Sequence, residues 1–176
     1  MNFTYLPLEN RLEVIHRTYA ATGLSPQIIE KDWWVTAVLR ALFSLPYAEN
    51  LSFKGGTSLS KCYNLIERFS EDIDIAVNRE KPDFIKTNTR IRNDLRRATC
   101  KFVREELQFD LVKQLKNNGL NPSNFTVKVN ITPITTTTLY FLLFTNRINA
   151  SGSSIFFISA SLVFTAINKV GDVSSS

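Results

Sequence analysis

The chain switches between two apolar periods, and the switches mark its elements. Residues 8–22 carry Leu12, Ile15 and Tyr19 at three- and four-residue spacing, the repeat of one helix face. Gly23 stops that helix, and Ser25-Pro26 offers an N-cap and a proline at the first position of a second. The second helix is expected to run towards Leu45, ahead of Pro46, burying Ile29, Trp33, Val38, Leu39, Leu42 and Phe43. Residues 51–54 read as a short strand, Gly55-Gly56 as a turn, and 57–67 as a helix with Leu59, Tyr63 and Ile66 inward. Residues 68–71 link it to a strand over 72–77. From 83 to about 118 the pattern is mostly helical with room for one break, until Gly119 and Pro122 end it. Ile91, Leu95, Ala98 and Phe102 form one stripe there; Val103, Leu107, Leu111 and Leu115 form another. Residues 125–131 alternate strictly, Phe125, Val127, Val129 and Ile131 against Thr126, Lys128 and Asn130. This predicts a half-buried strand, placed beside 72–77.

The pattern changes character after residue 131. Beyond it only Arg147, Lys169 and Asp172 carry charge, against 21 basic and 16 acidic residues in the whole chain. The apolar run 155–167 is short for a membrane helix and interrupted by serines. Either a buried strand pair or a segment foreign to the fold accounts for it. The chain is thus expected to divide into a helical segment (1–50), an α/β core (51–135) and a low-charge tail (136–176).

At 176 residues the chain has room for one domain with a real core. A net charge of +5 permits a nucleotide or nucleic-acid partner without demanding one, and the basic run from Arg90 to Arg104 reads first as a solvated helix face. Cys62 and Cys100 fit no metal spacing and are expected as free thiols. The N-terminus lacks a basic stretch leading into an apolar one, so the expected location is the cytoplasm, with no membrane partner.

Chemistry concentrates between residues 53 and 75. Gly55-Gly56 lets backbone N–H groups approach phosphate closely, and Thr57 or Ser58 adds a hydroxyl. Asp72 and Asp74 occupy alternate positions of one strand, so both carboxylates leave the same face while Ile73, Ile75 and Val77 leave the other. Paired carboxylates suit Mg²⁺, a hard cation that also takes phosphate oxygens. Phosphate cradle and metal face together are minimal equipment for nucleotidyl transfer. Each alone is commonplace; their linkage through one helix makes them informative.

Three linked segments carry a resemblance: residues 29–36 (Ile-Glu-Lys-Asp-Trp-Trp-Val-Thr), 55–61 (Gly-Gly-Thr-Ser-Leu-Ser-Lys) and 67–75 (Glu-Arg-Phe-Ser-Glu-Asp-Ile-Asp-Ile). In this order they resemble the AbiEii/AbiGii toxin nucleotidyltransferases of the polymerase-beta-like superfamily, closely over 25–80 and more loosely to about 131. The resemblance implies an α+β fold, a small mixed sheet flanked by helices with an N-terminal helical extension. It implies Mg²⁺-dependent transfer of a nucleotide from an NTP to RNA, such as a tRNA 3′ end, by a toxin of a toxin–antitoxin or phage-abortive system opposed by a separately encoded antitoxin. It implies phosphate binding by Gly55, Gly56, Thr57 or Ser58, and metal binding by Asp72 and Asp74. Lys61 would reach the triphosphate or remain a solvated helix lysine; Arg68 and Ser70 would brace the loop before the metal strand. Glu30, Lys31 and Asp32 are expected as structural charge partners, and Trp33 and Trp34 as core.

One part of the family pattern is absent. Relatives carry a third carboxylate on a later strand beside the aspartate pair, and residues 125–131 contain none. With the loss of charge after 131, this leads to the expectation of a truncated or frameshifted member, and to an alternative reading as a catalytically dead remnant that binds nucleotide or RNA only.

Overall fold

The structure, a computed structural model, describes residues 3–65, 72–77, 101–130, 138–149 and 152–163. Helix α1 spans Leu8–Thr22 and ends where the sequence places its stop: Gly23 sits at φ 71° and its N–H donates to the Tyr19 carbonyl. Helix α2 spans Pro26–Leu42, with the Ser25 hydroxyl accepting from the Ile28 N–H at 3.4 Å. It closes at Phe43, short of the expected Leu45, because the N–H groups of Ser44 and Leu45 turn back to Ala41 and Leu42 in a tighter coil. Leu45 stays buried, but Phe43, expected inside, is 41% exposed.

Among the described residues five strands form one mixed sheet: β1 (Leu51–Lys54), β2 (Ile73–Val77), β3 (Phe125–Asn130), β4 (Thr138–Asn149) and β5 (Gly152–Val163). Their spatial order is β1-β2-β5-β4-β3. β2 pairs β1 antiparallel and β5 parallel, while β4 is antiparallel to both β5 and β3. The placement of β3 beside β2 is therefore corrected: β4 and β5 stand between them, and β3 lies at the far edge. Alternation fixes which face a strand buries, not which strand it adjoins. β4 and β5 pair along their whole length, from Thr138↔Val163 to Asn149↔Gly152. Strands so close in sequence pair at little loop-closure cost. The fold is α+β, a small mixed sheet with helices against it and a helical segment ahead of it.

The core lies between one sheet face and the helices. Trp34, Val35, Val38 and Leu42 of α2 meet Leu51, Ile73 and Ile75 of the sheet, and the cluster also takes in Phe102, Val103, Leu107, Leu111 and Leu115. The last four follow the predicted stripe. The predicted break is a π-helical turn over Val103–Leu107 leading into the helix Gln108–Asn117. The rest of the expected long helix, with Ile91, Leu95 and Ala98, lies outside the described residues. Trp34 packs edge-on to Trp33 and Phe125 and belongs to the core as expected, while Trp33, stacked at a tilt on Phe3, is partly buried and packs against it.

Tyr47 fastens the connection ahead of β1 to the helix Gln108–Asn117. Its hydroxyl donates to Asp110 Oδ2 at 3.1 Å, and its ring meets Phe102 edge-on at 5.3 Å. Burial, then the Asp110 charge and hydrogen bond, then Glu106, push the phenol well above the ordinary tyrosine range. A raised folded-state pKa gives stability that is complete below the unfolded pKa, about 10, and declines as pH rises past it. Tyr47→Phe is expected to cost about 1–2 kcal/mol near neutrality. Above about pH 10 the difference from wild type should narrow by up to roughly 1.4 kcal/mol per pH unit. Urea unfolding of both proteins from pH 7 to 11 measures it.

Candidate functional site

β1 leads directly into helix α3, Gly55–Lys61. Lys54, still extended at φ −128° and ψ −175°, is the residue before the helix. Gly55 then takes φ +76°, a conformation side chains disfavour. Its surroundings exclude a side chain as well: a Cβ there would lie 2.1 Å from Asp74 Oδ2 and 3.1 Å from Asp74 Cγ. The glycine turn is therefore seated on the carboxylate of the aspartate strand. This contact joins the two motifs that the sequence only places in series.

A second tie fixes their relative position. The buried Thr57 hydroxyl donates to the Asp72 main-chain carbonyl at 2.6 Å. Thr57 thus pins α3 to the start of β2, and its proton is committed to the backbone. Ser58 is buried beside it. Asp72, exposed, stands just before β2, and Asp74 is half-buried within it. Ile73 and Ile75 between and beyond them are fully buried, so the pair faces away from the core, as the alternation predicts.

The expected helix over 57–67 is corrected at both ends. It begins at Gly55 and closes at Cys62, whose N–H donates to Ser58. Asn64, at φ 51°, turns the chain so that the Leu65 N–H reaches the Leu59 carbonyl. Leu59 and Tyr63, expected inside, are 39% and 66% exposed in consequence. Lys61, in the last turn, points to α2: its ammonium lies 2.6 Å from Asp32 Oδ1 and 3.1 Å from the Thr36 hydroxyl. Asp32 is accordingly a structural charge partner. An open groove of about 770 Å³ runs between α2, β1 and α3, lined by Arg40, Phe43, Phe53, Ser58, Lys61 and Tyr63 among others.

Arg68 and Ser70 lie outside the described residues, as do Arg90, Arg92, Arg96 and Arg97 of the basic run. Lys101 and Arg104 are solvated, and Lys101 stands 3.9 Å from Glu105. The strand adjoining β2 on its inner side is β5, which places Ser161 in register with Asp74 and Ala160 with Ile73. β5 contains no Asp or Glu, nor do β1, β3 and β4. Among the described residues no three His, Cys, Asp or Glu side chains gather as a metal cage. Two carboxylates suit a Mg²⁺ that arrives with substrate phosphates, since that cation usually takes one or two protein carboxylates and fills its shell with phosphate and water. Sequence reasoning passed over Lys54, the register partner of Asp74 across the β1–β2 pair. Its signal was a lysine ending a strand directly before the double glycine.

The family model described as nucleotidyl transferase AbiEii toxin, Type IV TA system, matches residues 37–141. That span holds β1, α3 and both aspartates. Two solved structures match this chain in part. One is a provisionally assigned nucleotidyltransferase from H. pylori, at 17% identity and TM-score 0.46, covering 84% of this chain and 49% of that one. The other is JHP933 from Helicobacter pylori, at 15% and 0.47, covering 84% and 48%. The chain thus spans about half the length of these structures. A search of curated proteins finds no match. Among the described residues no helix is long and apolar enough to cross a membrane.

Proposed function

Since this chain belongs to the AbiEii nucleotidyltransferase toxin family, we propose that it transfers a nucleotide from an NTP to an acceptor hydroxyl on RNA, such as a tRNA 3′ end. In this reading it acts in the cytoplasm, as the toxin of a toxin–antitoxin or phage-abortive system with a separately encoded antitoxin. The acceptor oxygen bonds to the α-phosphorus, pyrophosphate leaves, and the hydroxyl proton is released. Gly55 and Gly56 present backbone to the phosphates. Asp72 and Asp74 would hold Mg²⁺, which would offset phosphate charge and polarise the reacting phosphoryl group. Thr57 keeps the carboxylate strand in place against α3. The observation that carries the reading is the seating of Gly55 on the Asp74 carboxylate.

A second reading, nucleotide binding without transfer, rests on β5: the residue in register with Asp74 is Ser161, and the strand offers no third carboxylate. One experiment separates the two. Purified protein is incubated with each labelled NTP, Mg²⁺ and total tRNA, beside an Asp72→Ala/Asp74→Ala control. Label on RNA from wild type alone supports transfer. Mg²⁺-dependent NTP binding without label supports the second reading. Neither binding nor label from folded protein overturns both.

A further inference from the structure

We propose that Lys54 is a phosphate-binding cation of this site, contacting the terminal phosphates of a nucleoside triphosphate; the inference rests on the nucleotide-binding reading above. β1 and β2 pair antiparallel with Leu51↔Val77, Phe53↔Ile75 and Lys54↔Asp74. Phe53 packs on the same core cluster as Ile75. One residue further along, Lys54 leaves the sheet on the opposite face, the face of Asp74. It is also the residue before Gly55, whose α-carbon abuts the Asp74 carboxylate. Lys54 therefore stands at the junction of the phosphate turn and the metal strand, half-buried, with a long flexible stem.

Charge shows why a cation is needed there. Two carboxylates and a triphosphate of charge about −4 meet one Mg²⁺ of +2, leaving a deficit of about four positive charges. Lys61 is engaged by Asp32 and Thr36 on α2. Lys54, facing Asp74 across the strand pair, offsets the carboxylate before nucleotide arrives. With the carboxylates engaged by Mg²⁺, the Lys54 ammonium would serve the phosphate oxygens.

The test compares Mg²⁺-dependent binding of fluorescent nucleoside triphosphates and monophosphates to wild type, Lys54→Met and Lys54→Arg, with melting temperatures of each. Lys54→Met keeps the apolar stem and removes the charge. It is expected to weaken triphosphate binding by about 10- to 100-fold, with monophosphate binding changed less than about threefold. Lys54→Arg should restore triphosphate affinity to within a few-fold. Lys54→Gln substitutes for Lys54→Met should the latter not fold. Triphosphate affinity unchanged in the neutral variant, or equal losses for both ligands, overturns the role of Lys54 while leaving the nucleotide site standing. Wild type that binds no triphosphate overturns the nucleotide reading and this inference with it.

Discussion

Gly55→Ala is expected to lower nucleotide transfer by at least about 10²-fold. Two effects combine at this position. Alanine at φ +76° costs roughly 1–2 kcal/mol of backbone strain. The larger effect is steric, because its Cβ would lie 2.1 Å from Asp74 Oδ2, far closer than a non-bonded carbon and oxygen approach. Relief requires the turn or the carboxylate to move by an ångström or more. A displacement of about 1 Å at a reacting centre is enough for a 10²-fold loss. Gly23 is the matched control, at φ +71° with nothing within 4 Å of a Cβ. Gly23→Ala should lose about 1–2 kcal/mol of stability and keep its transfer rate. Initial rates with labelled NTP, read beside urea unfolding of both variants, distinguish the two. Equal losses of activity would show that backbone strain, and not the contact with Asp74, governs the site.

What the sequence made legible was local. Gly23, Ser25-Pro26 and the alternation through Ile73 and Ile75 each act within a few residues, and the structure realises them where expected. The glycine turn and the aspartate pair were legible for the same reason. Asn64 was missed because it interrupts an apolar periodicity that continues past it, although asparagine tolerates the left-handed turn it adopts. Pairings across the chain were not legible. Nothing in Phe125 to Asn130 says that β4 will be its neighbour, and nothing near Lys61 selects Asp32, 29 positions away, over a phosphate. Lys54 belongs to this class, since its importance appears only when the strand pair sets it opposite Asp74. The segment after residue 131 carried the weakest local signal, and its described strands β4 and β5 are two of the three inner strands of the sheet.

Neutralising the carboxylates is the severest change the site permits. Asp74→Asn preserves shape against Gly55 and removes one negative charge, and transfer is expected to fall by about 10³-fold or more. The magnitude follows from metal-assisted charge stabilisation, worth several kcal/mol, at about 1.4 kcal/mol per decade of rate. Asp72→Asn should act similarly on transfer, yet the two should differ under Mg²⁺ titration. Asp72 is exposed and its main-chain tie to Thr57 does not involve its side chain. Water can take its place as a ligand, so raised Mg²⁺ should recover part of the Asp72→Asn rate. Asp74 is half-buried between Gly55 and the β1 and β5 strands, with Lys54 and Ser161 in register on either side. Neither partner offers a carboxylate, so Asp74→Asn should stay inactive at any Mg²⁺ concentration. Both variants should melt within a few degrees of wild type, because each amide retains the volume of the acid it replaces. Chelation of Mg²⁺ by EDTA should abolish wild-type transfer reversibly. Recovery of Asp74→Asn by Mg²⁺ alone would move the essential ligand from β2 to another part of the chain.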